Sequence, residues 1–212
     1  MSSATSGHIE RFEVMATILL AVATVATAWS GYQASRWNGE QAKAFSRASA
    51  LRIASTQAES LANSQSQIDV ATFMQWTDAY ALKQTALAEF YRLRFRAEFK
   101  PAVNAWVATK PLKNPAAPLT PFAMPQYKLA AHAQAERLNA EAEVYSTQAR
   151  TNVQRATNYV LGVVLFAAAL FFAGISTKLQ TLRLRRVLLG LGLVVFVSTV
   201  VWLATLPVSF AV

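Results

Sequence analysis

The chain has 212 residues, of which 54% are hydrophobic and only 15% charged, a balance too apolar for an ordinary soluble domain. Its formal net charge of +9 invites a nucleic-acid reading, but residues 36–155 interleave 15 Lys/Arg with 9 Asp/Glu, as on a solvated helical face, which argues against phosphate-backbone binding. There is no cysteine, which excludes disulfides and thiolate metal ligands.

A short N-terminal tail (1–13) leads into the first charge-free run, Val14 to Ser35. Its 22 residues meet the roughly 20 that a helix needs to cross about 30 Å of hydrocarbon, so a first transmembrane helix is expected at 14–35. Glu10, Arg11 and Glu13 do not make the positive flank of a secretory signal, so an uncleaved anchor is expected even though the run contains Ala26-Thr27-Ala28. Ala23, Thr27, Gly31 and Ser35 form a row of small residues at four-residue spacing, a pattern that lets helices approach closely in a membrane.

A helical body is expected over 36–157, because Gly and Pro are absent from Glu40 to Lys100 and from Gln126 to Leu161. One rod over 31–100 would extend about 105 Å, against about 48 Å for 126–157, so a fold-back is expected. "SQSQIDV" is the predicted corner, with Ser66 and Asp69 in capping-box spacing. The arms would then be 31–63, 67–100 and 126–157, with a Pro-rich connector, 101–125, climbing back in extended polyproline geometry.

In the second arm Phe73, Trp76, Tyr80, Leu87, Phe90 and Tyr91 form a large-residue stripe, read as a core face. If that arm returns to the membrane, Arg92, Arg94, Arg96 and Lys100 would meet anionic lipid; local pairing with Glu89 and Glu98 is the competing reading. In the third arm Ala135, Ala142, Ala149 and Ala156 recur every seven residues, with Ala131, Leu138 and Tyr145 offset by four, a seam suited to a close-packed bundle or coiled coil.

Second and third transmembrane helices are expected at 158–177 and 187–206, joined by a basic loop, 178–186, and followed by a C-terminal tail, 207–212. Lys178, Arg183, Arg185 and Arg186 have no acid among them, and such loops stay cytoplasmic. That places the N-terminus inside and residues 31–157 outside. Arg36, Lys43 and Arg47 favour the opposite orientation, but a short hairpin loop outweighs a long domain, which translocates largely regardless of charge. Gly190 and Gly192 lack the rest of a dinucleotide fingerprint and read as close helix packing.

Site chemistry is sparse. His8 and His132 have no metal-ligand spacing, Glu136, Glu141 and Glu143 alternate with the alanine row, and no ionisable residue lies within a span. No catalytic residue, metal or cofactor is expected, and the chain is not expected to be an enzyme.

"AVATVATAWSGYQASRWNGEQA" (21–42), with its Tyr32-Gln33-Ala34 triplet, followed by the body and by the hairpin sequence "TKLQTLRLRRVLLGLGLVV", resembles a family of small bacterial membrane proteins of unknown function. That family has one N-terminal span, a long helical region and a two-span C-terminal hairpin. The resemblance implies a bacterial inner (plasma) membrane location and no known activity.

The expected fold is all-α, three transmembrane helices with an antiparallel helical bundle or coiled-coil body inserted between the first and second spans. The leading functional expectation is a non-enzymatic, homo-oligomeric scaffold or accessory subunit that contacts anionic lipids or another membrane protein and no nucleic acid. A pore or transport subunit, suggested by Gly162, Gly174, Gly190 and Gly192, and an extracytoplasmic sensor with a separate signalling partner are the alternatives.

Overall fold

The computed structural model describes residues 3–209, with side chains from residue 13 onward, so the ends of both expected tails, and His8, fall outside the described side chains. Among the described residues every regular element is helical: α1 (Ser3–Ala81), α2 (Thr85–Arg94), α3 (Lys100–Ala108), a 3-10 turn (Pro121–Ala123), α4 (Ala130–Lys178) and α5 (Leu182–Ala204). Helix already begins at Ser3, so the expected N-terminal tail is instead the start of α1. Three helices, α1, α4 and α5, contain stretches long and apolar enough to cross a membrane.

The chain divides into two compact units, one made of residues up to Ser46 with those from Tyr145 onward, the other of Arg47–Val144. The first unit packs the opening part of α1 against α4 and α5. Ala16 and Leu19 cluster with Ala173 and Leu189, whereas Ala34 and Trp37 cluster with Ala156 and Tyr159, so α1 and α4 run antiparallel. Arg185, buried at 6% exposure, stands 3.5 Å from Glu13, which puts the start of the first apolar run beside the α4–α5 turn. Beyond α5 the chain is tied back: the Ser209 N–H donates to Gln33 Oε1 (3.0 Å), and the Tyr159 hydroxyl donates to the Pro207 carbonyl (3.3 Å). Gln33, the middle of the Tyr-Gln-Ala triplet, is thus a fully buried amide that satisfies backbone groups with no partner in a helix.

In the second unit α1 and the start of α4 are also antiparallel, with Arg52 paired to Glu143 (3.2 Å), Ser55 Oγ donating to the Ala135 carbonyl (2.8 Å), and Glu59 bonded to His132 (3.0 Å). A ring cluster gathers the end of α1, α3 and the 3-10 turn. Phe73 contacts Trp76, Phe99, Trp106 and Phe122, and Phe99 is fully buried among them.

Several expectations about the body are corrected. There is no corner at Ser66–Asp69, because α1 continues through it to Ala81. Asp69 does not cap a helix; it is a fully buried side chain paired with Arg96 (2.8 Å). The reversal comes at Leu82–Gln84, where the Leu82 N–H donates to the Asp78 carbonyl and the Gln84 N–H to the Ala79 carbonyl, both at 2.9 Å, while Lys83 takes a left-handed φ of 56°. These bonds satisfy carbonyls that the end of a helix would otherwise leave open. The second arm is only the 10-residue α2, about 15 Å long, so three equal arms do not form.

Nor is the Pro-rich connector an extended polyproline strand. Pro101 sits in the first turn of α3, where its missing N–H costs nothing, and Pro121 opens the 3-10 turn. The basic loop contracts as well, since Arg183, Arg185 and Arg186 belong to the first turns of α5 and only residues 179–181 lie between the helices.

A cationic aromatic cleft as the candidate functional site

α1 and α3 both end in the second unit at a lysine in the left-handed region: Lys83 (φ 56°) and Lys110 (φ 53°). Glycine or asparagine is the usual residue at such a position, because a Cβ there crowds the backbone at a cost of roughly 1 kcal/mol. Both lysines line an open cleft of about 1220 Å³.

The floor and walls of the cleft come from three helices. Trp76 and Tyr80 project from the last turns of α1, with ring centroids 5.5 Å apart in a stacked arrangement. Ala88, buried, comes from α2, and Trp106 and Val107 come from α3. Trp106 is oriented by its indole N–H, which donates to the Pro118 carbonyl at 2.7 Å. Leu112 overhangs the cleft from the following loop and is 84% exposed.

The charged lining comprises Lys83, Arg92, Lys110, Lys113 and one acid, Glu89. Glu89 accepts two bonds from Arg92, at 2.8 and 3.0 Å, which lowers its carboxyl pKa below the ordinary range and raises that of the guanidinium. Lys83, Lys110 and Lys113 have no carboxylate partner among the described residues, leaving the cleft with three uncompensated cations around an apolar interior.

In the same unit, a polar cluster forms around the fully buried Asp69 side chain. Arg96 bonds Asp69 Oδ2 (2.8 Å) and pairs with Glu98; the Tyr127 hydroxyl donates to the same Asp69 oxygen (3.2 Å), and Glu98 Oε1 accepts the Ala130 N–H at the start of α4 (3.1 Å). Burial raises the Asp69 carboxyl pKa against the opposing pull of Arg96 and Tyr127, and burial is also the first cause of the raised Tyr127 pKa. Asp69 Oδ1 is buried without a hydrogen-bond partner, consistent with the dominance of desolvation.

The residues singled out from sequence are distributed unevenly over this framework. Ala135, Ala142, Ala149 and Ala156 are all buried, so the heptad row is a contact face. Ala23 is fully buried, but the row predicted with it does not pack within the chain: Thr27 is half-buried with its hydroxyl on the Ala23 carbonyl (2.7 Å), and Gly31 is exposed, with nothing within 4 Å of where a Cβ would stand. The buried row instead runs Ala16, Ala23, Ser30, Trp37, Ala44, because a seven-residue step stays on one helix face where a four-residue step drifts off it.

Of the cations read as lipid contacts, Arg92 is bonded to Glu89, Arg94 lies 3.6 Å over the Phe90 ring, and Arg96 is committed to Asp69; Lys100 is exposed at the start of α3. Lys178, Arg183 and Arg186 are exposed at the α4–α5 turn, unlike Arg185. In the large-residue stripe Phe73 and Trp76 are core, whereas Tyr80 (58% exposed), Leu87 and Phe90 are not.

Sequence reasoning missed Lys83, Lys110, Trp106 and Leu112. One signal for them existed: Pro111 directly after Lys110 marks the helix end that brings Lys110 into its left-handed turn. Among the described residues no three His, Asp or Glu side chains converge on a possible metal position. Comparison with protein-family models, curated proteins and solved structures finds no match to this chain.

Proposed function

We propose that this protein is a multi-pass protein of a bacterial inner (plasma) membrane whose unit Arg47–Val144 is a non-enzymatic binding module serving as a scaffold, accessory or sensing subunit, with homo-oligomers as its assembled form. The observation that carries this reading is the cleft: a concave apolar surface with a few placed polar groups is the usual form of a binding site. It favours the sensing variant over a pore, because the distinctive surface lies outside the apolar runs. The arrangement of Glu13 beside Arg185 supports an N-terminus and an α4–α5 turn on one side, and the turn's cations make that side cytoplasmic.

The absence of cysteine makes the test simple. A Leu112→Cys thiol, at the mouth of the cleft, should label slowly in native membranes and faster after exhaustive delipidation in a harsh detergent strips the occupant, whereas Ala140→Cys, on an exposed face of α4, should label equally in both. Identical ratios for the two thiols would remove the binding-module reading.

A further inference from the structure

The chemistry of the cleft narrows what it takes. We propose that it binds an amphiphilic anion: a single apolar chain or ring laid against Trp76, Tyr80 and Trp106, with a carboxylate or phosphate head between Lys110, Lys113 and Lys83. The inference rests on the binding-module reading above and specifies its ligand class.

Three observations support an anion with an apolar body. The lining cations outnumber acids by four to one, and the single acid, Glu89, is already taken by Arg92. Two of the three remaining cations sit in left-handed backbone conformations, where lysine has no conformational advantage over glycine and its side chain is the distinguishing contribution. The apolar surface is aromatic and held in place, Trp106 by its bond to Pro118 and Trp76 by stacking on Phe73.

A simple inorganic anion would leave the aromatic wall wet, and a neutral hydrocarbon would gain nothing from the three exposed lysines at its edge. An amphiphilic anion satisfies both parts. Lysine suits either head group as a flexible point charge, without demanding the planar geometry that an arginine fork would impose.

The same chemistry is offered by a free fatty carboxylate or alkyl phosphate and by an anionic membrane lipid, and the composition of the surrounding bilayer separates the two. Full-length protein in nanodiscs of neutral lipid is titrated with octanoate, octyl phosphate, octanol and octylammonium, with empty nanodiscs as the blank. The expected result is saturable binding of the two anions, at least about tenfold tighter than the alcohol or the cation, and about tenfold weaker in Lys110→Gln/Lys113→Gln, since each of the two exposed charged contacts is typically worth about a threefold change in affinity.

Repeating the octanoate titration in nanodiscs of anionic lipid identifies the source. Binding that disappears there assigns the cleft to lipid, and binding that persists assigns it to a free amphiphile; both uphold the proposal. Equal affinity for octanoate and octylammonium, or unchanged octanoate binding in the double variant, overturns it. Leu112→Cys protection in native membranes alongside either of those results would retain a binding module and reject only its anionic ligand.

Discussion

The two units are both all-helical, yet they are held by different contacts. Buried alanines line both, Ala16, Ala23, Ala169 and Ala173 in the membrane-type unit and Ala48, Ala62, Ala102 and Ala142 in the other, but the rings of the membrane-type unit are spread out, Trp37 with Tyr159 in one cluster and Phe166 against Phe196 in another place, and at Gly192 an added Cβ would come within 3.2 Å of the Ala169 carbonyl and 3.3 Å of Phe172 Cβ. The Arg47–Val144 unit packs rings, with Phe73, Trp76, Phe95 and Phe99 buried and Trp106, Phe122 and Tyr127 against them. Hydrocarbon is no less apolar than a side chain, so helices in lipid gain mainly from close backbone approach. In water the burial of large apolar area is the driving term, and aromatic side chains supply most area per residue. The difference lies in how the rings are grouped: the Arg47–Val144 unit gathers them into one cluster, whereas the other unit disperses them among close-packed alanines.

The largest expected effect removes a ring from the second unit. Phe99→Ala should destabilise it by about 3–5 kcal/mol, because a fully buried ring leaves a cavity that its four aromatic neighbours, Phe73, Phe95, Phe122 and Tyr127, cannot close. Chemical denaturation followed by tryptophan emission measures it, and a loss below about 1 kcal/mol would deny that rings hold this unit.

Next comes the buried carboxylate. Asp69→Ala should cost about 2 kcal/mol, below the roughly 3–5 of a fully buried broken pair, because Arg96 keeps Glu98 and retains 23% side-chain exposure. A carboxyl raised by burial stabilises the fold in its protonated form, so its contribution is present below the ordinary aspartate pKa and is lost as pH rises through the raised folded value. Asp69→Asn should therefore flatten the pH dependence of stability across that window, and an unchanged profile would mean that Arg96 holds the group ionised throughout.

Smaller effects are expected along the alanine seam. Ala142→Leu should cost roughly 1–3 kcal/mol by overpacking, while Ala140→Leu, two residues away and exposed, should be tolerated. Equal melting temperatures would dissolve the distinction between seam and surface. The smallest effect contrasts two glycines: Gly31→Ala meets open space and should gain up to about 1 kcal/mol of helix propensity, whereas Gly192→Ala presses on α4 and should lose that gain or reverse it. Thermal unfolding in one detergent compares them, and a stabilised Gly192→Ala would show that α5 does not need the close approach.

How much of this was legible depended on whether the signal was periodic. The three apolar runs and the Ala135–Ala156 heptad repeat over many turns, and their placement on helices long enough to cross a membrane, or on a buried face, follows from length and period alone. The helix end at Ala81 was not legible, because no glycine marks it and Lys83 adopts the left-handed turn in its place. The capping-box spacing at Ser66 and Asp69 misled for a related reason: a carboxylate three residues from a serine fits a helix start locally, but Arg96, 27 residues away, decides its role. Tyr80 belongs to a stripe that reads as core, yet it falls in the last turn before the reversal, where α2 is too short to cover it. The cleft is assembled from such helix ends, so its residues share no period by which sequence could gather them.

The central claim is that the Arg47–Val144 unit works through this cleft. Native mass spectrometry of the full chain released from mild detergent tests it most directly, using Leu112→Glu to place a carboxylate at the mouth without disturbing buried packing and Ala140→Glu as the matched surface control. The account predicts a bound small molecule on the wild type and on Ala140→Glu that is missing from Leu112→Glu. The same bound species on all three proteins, or on none, would contradict it.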